Sequence, residues 1–399
     1  MVELVLAVSF LDRVRANVRY WQRASRALAP VDYPLLETEW PNLVQAMAFG
    51  VAYTETLADA AELGLQLIGF VEARGRWGAW VPFLEQAVAG SAPNPALQCR
   101  LANHLGYFNR HPGRFEQAVA QHGLATRAAQ EAGSQLELAN AHFGLGDAAY
   151  FQHDFSEAER EALLGLQILE NVPEGGFIQL GGINQLAMVA EARGDFAAAE
   201  TWFRQAATGY AAYGHPRKQA TLMHNLARIL LSQERHDEAL LQLESALDLL
   251  AGGLDVLAEY NLLLVVGTVH FSRGNLAGAR AAFLQIDQGY LERFGHTEQL
   301  ARVTNNLGNV ALKERNWAQA ADYLAYSAGL ARALGNELEL ANTLGDLGET
   351  RWHQGEWAEA FALLAEAASL LAAFPDHAWA RKRREAILAL QAKLLGNEA

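Results

Sequence analysis

Two stretches of the chain show the unit from which it is built. Asn306–Ala320 reads NLGNVALKERNWAQA, and Asp346–Ala360 reads DLGETRWHQGEWAEA. Both have Leu-Gly at the second and third positions, tryptophan at the twelfth and alanine at the fifteenth. Because the two stretches begin 40 residues apart, they indicate a repeated structural unit of that length.

The small residues of this unit recur over most of the chain. The final alanine is found, at spacings of 40 or 41 residues, as Ala118, Ala158, Ala199, Ala239, Ala279, Ala320 and Ala360. Twelve residues before each alanine stands another small residue: Gly106, Gly146, Ala187, Ala227, Gly267, Gly308 and Gly348. This pattern predicts that two antiparallel helices cross there, because Gly and Ala let two backbones approach closely. An eighth, degenerate unit comes first, with Trp77 at the aromatic place and Trp80 where alanine is expected.

The residues on either side of the repeated phrase have helical periodicity. Leu300–Arg315 and Trp317–Leu334 carry apolar residues at helical spacing. The second of these segments is followed by Gly335, a residue that commonly ends a helix. No window has the period-two alternation of a strand. The sequence therefore predicts an all-α fold in which each unit is a helical hairpin.

A hairpin with glycine in its first helix, an aromatic residue at the turn and alanine early in the second helix resembles the tetratricopeptide repeat (TPR). The TPR has a period of about 34 residues, whereas the period here is 40. The longer period is similar to the TPR-like units of bacterial STAND regulators, which are signal-transduction ATPases with NB-ARC or related nucleotide-binding cores. The resemblance covers residues 59–374. It implies a right-handed superhelical solenoid of about eight TPR-like hairpins with helical N- and C-terminal caps.

A second resemblance lies near the start of the array. The segment 35–46, LLETEWPNLVQA, is similar to the stretch that joins the winged-helix part of such regulators to their TPR array, and so are Arg74–Trp77 and the segment 83–88. In that family the array is the sensor and an upstream ATPase is the switch. None of the four lysines of this chain follows a glycine, so the chain has no P-loop of its own. The resemblance implies either a sensor that works with an ATPase and winged-helix region, upstream or in trans, or a stand-alone repeat protein.

The repeats divide the chain into three parts. We expect an N-terminal helical cap or junction region at residues 1–58, the TPR-like array at 59–374 and a C-terminal capping helix at 375–399. The last part has Trp379, Ile387 and Leu388 on an apolar side and the basic run Arg381–Arg384 on the other. Solenoids need polar-faced caps, because their terminal repeats otherwise expose apolar surface.

Charge and composition exclude several classes of protein. The formal net charge of −14 argues against nucleic acid as a direct partner, because phosphate binding needs a basic face. No apolar stretch reaches the ~20 residues that span a bilayer, so we expect no membrane partner. Cys99 is the single cysteine and leaves no intramolecular disulfide, which is typical of a reducing compartment. We expect a cytoplasmic, bacterial protein.

In TPR arrays the first helix of each unit lines the concave groove. The register of the repeat therefore predicts which residues of that helix face a ligand. We take the positions three before, one after and four or five after the recurring Gly or Ala, which share one face by the 3.6-residue period, and the position six before, which extends that face. The candidate groove residues are Arg100, Asn103, Tyr107, Arg110, Asn140, Asp147, Tyr150, Asn184, His224, Arg228, Asn261, Phe271, Arg302, Asn305, Asn309, Lys313, Asn342, Glu349 and Trp352.

Asparagine recurs on this face in six of the eight units. An asparagine side chain offers both a donor and an acceptor, so a ladder of them can hold an extended backbone without demanding one sequence. Aromatic residues between them suit apolar side chains of a ligand, and the arginines suit carboxylates. An asparagine in the first helix can also bond to the neighbouring repeat, so a stacking role is the alternative for each of them.

The chain lacks the motifs of common catalytic and cofactor sites. It has no H-E-x-x-H, and Gly144-Leu145-Gly146 lies in a predicted helix with no strand before it. We therefore expect no catalytic residue, no metal and no cofactor. The favoured function is a non-catalytic protein- or peptide-binding module that senses a ligand for a bacterial signalling or transcription regulator. The alternatives are a constitutive protein–protein interaction scaffold or adaptor and, third, an enzyme with a site in the groove.

Overall fold

A computed structural model describes residues 2–26, 33–110, 114–253, 255–374 and 378–396. It divides the chain into two compact units, unit 1 (Met1–Glu259) and unit 2 (Tyr260–Ala399). The described residues form helices and short connections, and none of them lies in a strand. The prediction of an all-α helical solenoid is confirmed.

The described part of unit 1 begins with six helices and continues with four helical hairpins. The six helices are α1 (Val2–Arg26), α2 (Tyr33–Thr38), α3 (Trp40–Val51), α4 (Thr54–Gln66), α5 (Ile68–Ala73) and α6 (Trp77–Gly90). The hairpins are α7–α8 (Pro95–Arg110, Phe115–Ala132), α9–α10 (Gln135–Phe151, Phe155–Leu169), α11–α12 (Gly176–Ala192, Phe196–Ala212) and α13–α14 (Pro216–Ser232, His236–Leu250). Helix α7 contacts α9 and α9 contacts α11, so the first helices of these successive hairpins lie side by side.

The degenerate first unit packs around Trp80, which the sequence places where the other units have alanine. Its ring is fully buried in a core with Leu43, Leu63 and Phe70. Its indole N–H donates to the carbonyl of Gly64 at 3.2 Å, which satisfies the polar end of the buried ring. A large ring replaces the small residue here because α6 packs against α3 and α4 rather than within a regular hairpin.

At the recurring small residue of the first helix, a side chain of the second helix packs into the space that glycine leaves. A Cβ atom on Gly308 would lie 2.7 Å from Leu324 Cγ, and one on Gly348 would lie 2.7 Å from Leu364 Cγ. The Cβ atom on Gly348 would also lie 3.2 Å from the backbone oxygen of Ala360. The predicted close crossing of the two helices is therefore present, with an inserted side chain between them.

The turn between the two helices of a hairpin contains a left-handed residue five positions before the recurring alanine. Glycine takes this conformation at Gly194, Gly274 and Gly355, with φ of 81°, 76° and 82°. Other residues hold it at His153, Glu234 and Arg315, with φ of 63°, 61° and 62°. A residue with a Cβ atom is strained in this conformation, because the Cβ atom lies too close to the following carbonyl oxygen.

The polar residue of the repeated phrase is the N-cap of the second helix. Asp154 Oδ1 accepts from the backbone N–H of Glu157 at 3.0 Å, and Asp195 Oδ1 accepts from that of Ala198 at 3.1 Å. Asn316 makes the same contact with Gln319 in unit 2. Each bond satisfies one of the N–H groups that a helix start leaves without a partner.

Unit 2 contains most of α15 and the helices that follow it. Their bounds are α15 (Val256–Ser272), α16 (Leu276–Leu284), α17 (Gln288–Arg293), α18 (Thr297–Lys313), α19 (Trp317–Leu334), α20 (Glu337–His353), α21 (Trp357–Ala372) and α22 (Ala378–Gly396). Helix α18 contacts α20, so two first helices again lie side by side. None of the helices that the structure describes combines the length and the apolar character needed to cross a membrane.

Helix α22 packs against α21 and α20. Ile387 is buried there, as predicted for the apolar side, whereas Trp379 and Leu388 are exposed. On the basic side Arg381, Lys382 and Arg384 are exposed, while Arg383 pairs with Asp346 of α20 and Arg384 donates to the carbonyl of Ala368. The proposed start of the cap at residue 375 falls on residues 375–377, which lie outside the described part of the chain.

Candidate functional site

Six charged side chains, five of them from four helices and one from the connection before α15, come together in unit 1. We call them the charged cluster: Glu72 (α5), Arg110 (α7), Asp147 (α9), Arg217 and Lys218 (α13) and Asp255, which precedes α15. Arg217 is the centre of one half of the cluster. Its Nη1 lies 2.8 Å from Glu72 Oε2, and its Nε bonds to Asp255 Oδ2. The bond to Glu72 joins residues 145 positions apart in the chain.

Arg110 and Asp147 form the other half of the charged cluster. Arg110 Nη1 bonds to Asp147 Oδ2, and Asp147 Oδ1 accepts from Gln185 Nε2 of α11 at 2.9 Å. The Arg110 guanidinium also lies over the ring of Tyr107, 4.6 Å from its centroid. Ion pair and ring stacking together fix the arginine in one orientation.

The cluster changes the protonation of the groups within it. Burial favours the neutral acid of Glu72, but the Arg217 and Lys218 charges outweigh it and the pKa of Glu72 is lowered. Burial, reinforced by the Glu72 charge, raises the pKa of Tyr107 to about 12. Burial also lowers the pKa of His104, whose ring is therefore neutral at pH 7. The cluster thus holds charged carboxylates and arginines beside neutral hydrogen-bonding groups.

A second group of polar side chains adjoins the cluster at Asp147. We call it the Asn184 patch: Tyr150, Asn184, Glu191 and Arg228. Asn184 and Glu191 lie two turns apart on one face of α11. Glu191 Oε1 accepts from Arg228 Nη2 of α13 at 2.8 Å. The pKa of Tyr150 is raised by burial and then by the Glu191 charge; the Arg228 charge acts against this shift, and the Asp147 charge adds to it.

Two acceptor atoms of the Asn184 patch have no hydrogen-bond partner among the described residues. Asn184 Oδ1 and Glu191 Oε2 are both shielded from solvent, and burial raises the pKa of Glu191. A buried polar atom without a partner costs about 1–3 kcal/mol.

Most of the candidate groove residues of unit 1 lie in these two groups: Tyr107, Arg110 and Asp147 in or beside the charged cluster, and Tyr150, Asn184 and Arg228 in the Asn184 patch. Asn103 is different, since it is buried and donates to the carbonyl and the carboxylate of Glu137 in the next repeat. Arg100 pairs with Glu62 of α4. Asn140 and His224 are half-buried. The contact of Asn103 is the stacking role given above as the alternative.

In unit 2 the candidate residues do not form one group. Asn305 is buried and donates to Thr343 Oγ1 at 2.6 Å, and Asn309 donates to Asn305 Oδ1 at 2.7 Å. Arg302 and Lys313 are exposed on α18. The half-buried candidates are Asn261, Phe271, Asn342, Glu349 and Trp352. A binding role for any of the candidates in either unit stays a prediction.

The sequence missed four members of the charged cluster. Arg217 lies seven residues before the candidate His224, on the same face two turns earlier, so a longer application of the register would have included it. Lys218 is its neighbour. Glu72 belongs to the degenerate unit and Asp255 to a turn, where the repeat gives no register. Among the side chains that the structure describes, no group of three or more His, Cys, Asp and Glu is placed to hold a metal ion.

Comparison with known proteins identifies the repeats. Residues 180–251 and 299–373 match the family model of the tetratricopeptide repeat, so these two segments are tetratricopeptide repeats. A sequence comparison with curated proteins gives no match.

The solved structures that are similar to the chain include three with related descriptions. A Rap protein complexed with Competence and Sporulation Factor has a TM-score of 0.55 at 12% identity, over 94% of this chain and 99% of that one. The apo form of the quorum sensor NprR from B. thuringiensis has a TM-score of 0.51 at 14% identity, over 71% of this chain and 81% of that one. A STAND protein with a TPR sensor from Pyrococcus horikoshii has a TM-score of 0.43 at 12% identity, over 89% of this chain and 52% of that one. At these identities the likeness shows the fold alone.

Proposed function

We propose that the chain is a non-catalytic peptide-binding module and that unit 1 holds the extended segment against the charged cluster and the Asn184 patch. The observation that carries the proposal is the pair of shielded acceptors, Asn184 Oδ1 and Glu191 Oε2, on the face where successive first helices lie side by side. Backbone N–H groups of an extended peptide are donors of the kind these atoms lack. Tyr150 provides an aromatic surface beside them.

The surroundings of these acceptors favour a peptide over a small apolar molecule. Arg228, Asp147 and Arg110 give charges of both signs along the same surface, and a peptide has donors and acceptors in alternation along its length. The Rap protein of the similar structure is complexed with Competence and Sporulation Factor, and NprR is a quorum sensor. Both descriptions are in keeping with a ligand-sensing role for this chain in a bacterial signalling regulator.

A library of random 12-residue peptides displayed on phage tests the proposal. We expect the full chain to enrich a set of related peptides and Asn184→Ala to weaken the selected peptides roughly five- to ten-fold, the loss of about one hydrogen bond. Asn171→Ala is the matched control, because Asn171 is exposed in the loop after α10. The proposal fails if no peptide is enriched over an unrelated helical protein, or if Asn184→Ala binds as tightly as Asn171→Ala.

The sensing part of the proposal differs from a constitutive adaptor in what binding does to unit 1. Arg217 joins α5 to α13, so a ligand at the charged cluster contacts helices that are distant in sequence. Spin labels at Glu55→Cys and Glu244→Cys, both exposed positions of unit 1, report their separation while the buried Cys99 stays unlabelled. A selected peptide should change the distance distribution, whereas an adaptor that only binds would leave it as it is.

A further inference from the structure

The helices that carry the charged cluster form a row whose two ends meet. Helices α5 and α7 share one hydrophobic core, α7 contacts α9, and α9 contacts α11. Glu191 of α11 then pairs with Arg228 of α13 at 2.8 Å. The ion pair between Glu72 of α5 and Arg217 of α13, which we call the clasp, joins the last helix of the row to the first. The row therefore closes on itself at the charged cluster.

The clasp differs from the other ion pairs of the row in the distance along the chain that it spans. Arg110 and Asp147 are 37 residues apart, as are Arg228 and Glu191, so both pairs join neighbouring repeats. The clasp spans 145 residues. A small rotation between successive repeats accumulates along a solenoid, so a change in its curvature separates the ends of the row more than it separates neighbours. The clasp is therefore the contact that such a change breaks first.

Opening the clasp would leave only one of its two partners without an ion pair. Arg217 Nε also bonds to Asp255 Oδ2, and Asp255 is held at the start of α15, where its Oδ1 accepts from the backbone N–H of Ala258 at 3.0 Å. Arg217 thus keeps Asp255, while Glu72 regains water. The closed and open forms differ by one ion pair, a difference that the binding of a ligand can outweigh.

The closed clasp lies beside candidate groove residues and limits access to them. Burial, and then the Glu72 charge, raises the pKa of Tyr107 of α7, which places Glu72 close to this ring. The side chains of Arg110 and Asp147 are only 18% and 26% exposed. An extended peptide that contacts these groups needs more room than the closed row leaves.

We propose that the clasp is the gate of the charged cluster, closed in the peptide-free protein and opened when a peptide enters. The inference rests on the proposed peptide binding for the identity of the ligand. It adds the order of events: α5 and α13 separate at Glu72 and Arg217, and the peptide then reaches Arg110 and Asp147. The fraction of molecules with an open clasp therefore sets the apparent rate of association.

Association kinetics of a fluorescently labelled selected peptide, measured by stopped flow, test the gate. Glu72→Gln removes the charge of the clasp and leaves Arg217 with Asp255. We expect it to raise the association rate about ten-fold, since the loss of one hydrogen bond between charged groups increases the open fraction by about that factor. Glu72→Asp keeps the charge on a shorter side chain and should give an intermediate rate.

Glu200→Gln is the matched control. Glu200 pairs with Arg235 at 2.8 Å, the length of the clasp, and its side chain is 13% exposed, as is that of Glu72. This pair joins α12 to the residue before α14, which are 35 residues apart, so it spans neighbouring repeats and closes no row. Glu200→Gln should associate at the rate of the wild type.

A second measurement needs no peptide. Spin labels at Glu55→Cys and Glu244→Cys report the separation of α4 and α14. In the peptide-free protein, Glu72→Gln should shift their distance distribution in the direction in which a selected peptide shifts it in the wild type. Glu200→Gln should leave the distribution as it is.

The outcomes separate the gate from the proposed function. If selected peptides bind, but Glu72→Gln associates at the rate of the wild type, the gate is wrong and peptide binding stands, whether or not the label distance changes. If no library peptide binds, the proposed function fails and the gate has no ligand to admit; a shifted label distance in Glu72→Gln would then still establish that the clasp holds the row closed.

Discussion

Units 1 and 2 are built from the same repeat, but they differ in how the polar residues of their first helices are satisfied. In unit 2, Asn305 donates to Thr343 and accepts from Asn309, and Arg383 of α22 covers Asp346 of α20. In unit 1, Asn184 Oδ1 and Glu191 Oε2 have no hydrogen-bond partner among the described residues. These asparagines of unit 2 thus bond to other residues of the unit, whereas the two acceptors of unit 1 would need a donor from another molecule.

The contrast teaches that register alone does not assign function in this array. A position three residues before the recurring small residue can hold a stacking asparagine, as at Asn305, or an asparagine with a free acceptor, as at Asn184. The neighbouring first helix decides between the two. Where it offers a hydroxyl group, as at Thr343, the asparagine is used for packing.

The largest expected difference between the units is in how much unfolding free energy each loses at low pH. The side chain inserted beside the recurring glycine is leucine at Leu324 and Leu364 in unit 2, but His122 in unit 1, between Gly106 and Gly144. Burial, followed by the Arg110 and His104 charges, lowers the pKa of His122 to about 3. Because the unfolded chain binds this proton near pH 6.5, the neutral ring contributes fully above pH 6.5 and its contribution is lost as the pH falls towards 3.

At about 1.36 kcal/mol per pKa unit, this loss amounts to roughly 5 kcal/mol of unfolding free energy by pH 3, and to roughly 3.4 kcal/mol by pH 4. Urea unfolding at pH 7, 6, 5 and 4 measures the part above pH 4. His122→Leu, which copies the side chain of unit 2, should flatten the dependence in this range. Equal slopes for the wild type and His122→Leu would show that the histidine is not the group that makes unit 1 sensitive to acid.

Removing an arginine should also cost more in unit 1 than in unit 2. Arg217→Met leaves Glu72 and Asp255 buried without their partner, and we expect a loss of about 3 kcal/mol. Arg383→Met leaves one carboxylate, that of Asp346, without its ion-pair partner. Burial already raises the pKa of Asp346, so protonation of this carboxylate should limit the loss of unfolding free energy to about 1–2 kcal/mol. Urea unfolding at pH 7 compares the two. Adding Glu72→Gln to Arg217→Met should recover part of the stability, and a double variant no more stable than the single one would contradict the pairing.

The two asparagines should separate stability from binding. Asn305→Ala removes the donor to Thr343 and should lower the unfolding free energy by about 1–2 kcal/mol with no change in peptide affinity. Asn184→Ala should not lower the unfolding free energy, because it removes an acceptor that is shielded from solvent without a partner, and it should weaken binding. Thermal unfolding and fluorescence anisotropy of a selected peptide measure the two properties. The contrast between the units would be contradicted if Asn305→Ala weakened peptide binding and Asn184→Ala lowered the unfolding free energy.

The smallest effect should be the same in both units. Glu234 in unit 1 and Arg315 in unit 2 hold left-handed turns with φ of 61° and 62°. Glu234→Gly and Arg315→Gly should each raise the unfolding free energy by about 1 kcal/mol, because glycine has no Cβ to strain. Gly355→Ala, at the same turn position with φ of 82°, is the reverse change and should destabilise. Unequal effects of the two glycine variants would mean that the turns are not equivalent.

The sequence predicts the fold well because the repeat is a local property. Gly308, Asn316 and Ala320 lie within one hairpin. Gly308 lies where the two helices cross, Asn316 caps the second helix and Ala320 packs in the core. The site is predicted less completely, because Glu72 and Arg217 are 145 residues apart and no short-range pattern connects them. His122 was not found either, since a histidine at a core position has no signature of its own. The limits of the array at residues 59 and 374 stay predictions.

Hydrogen–deuterium exchange of the full chain, with and without a saturating library-selected peptide, tests most directly the claim that unit 1 is the binding unit. We predict slower exchange in α9, α11 and α13 and unchanged exchange in α18 and α20, because a bound ligand protects the helices it contacts from local opening. Protection confined to α18 and α20, with unit 1 unaffected, would contradict the account.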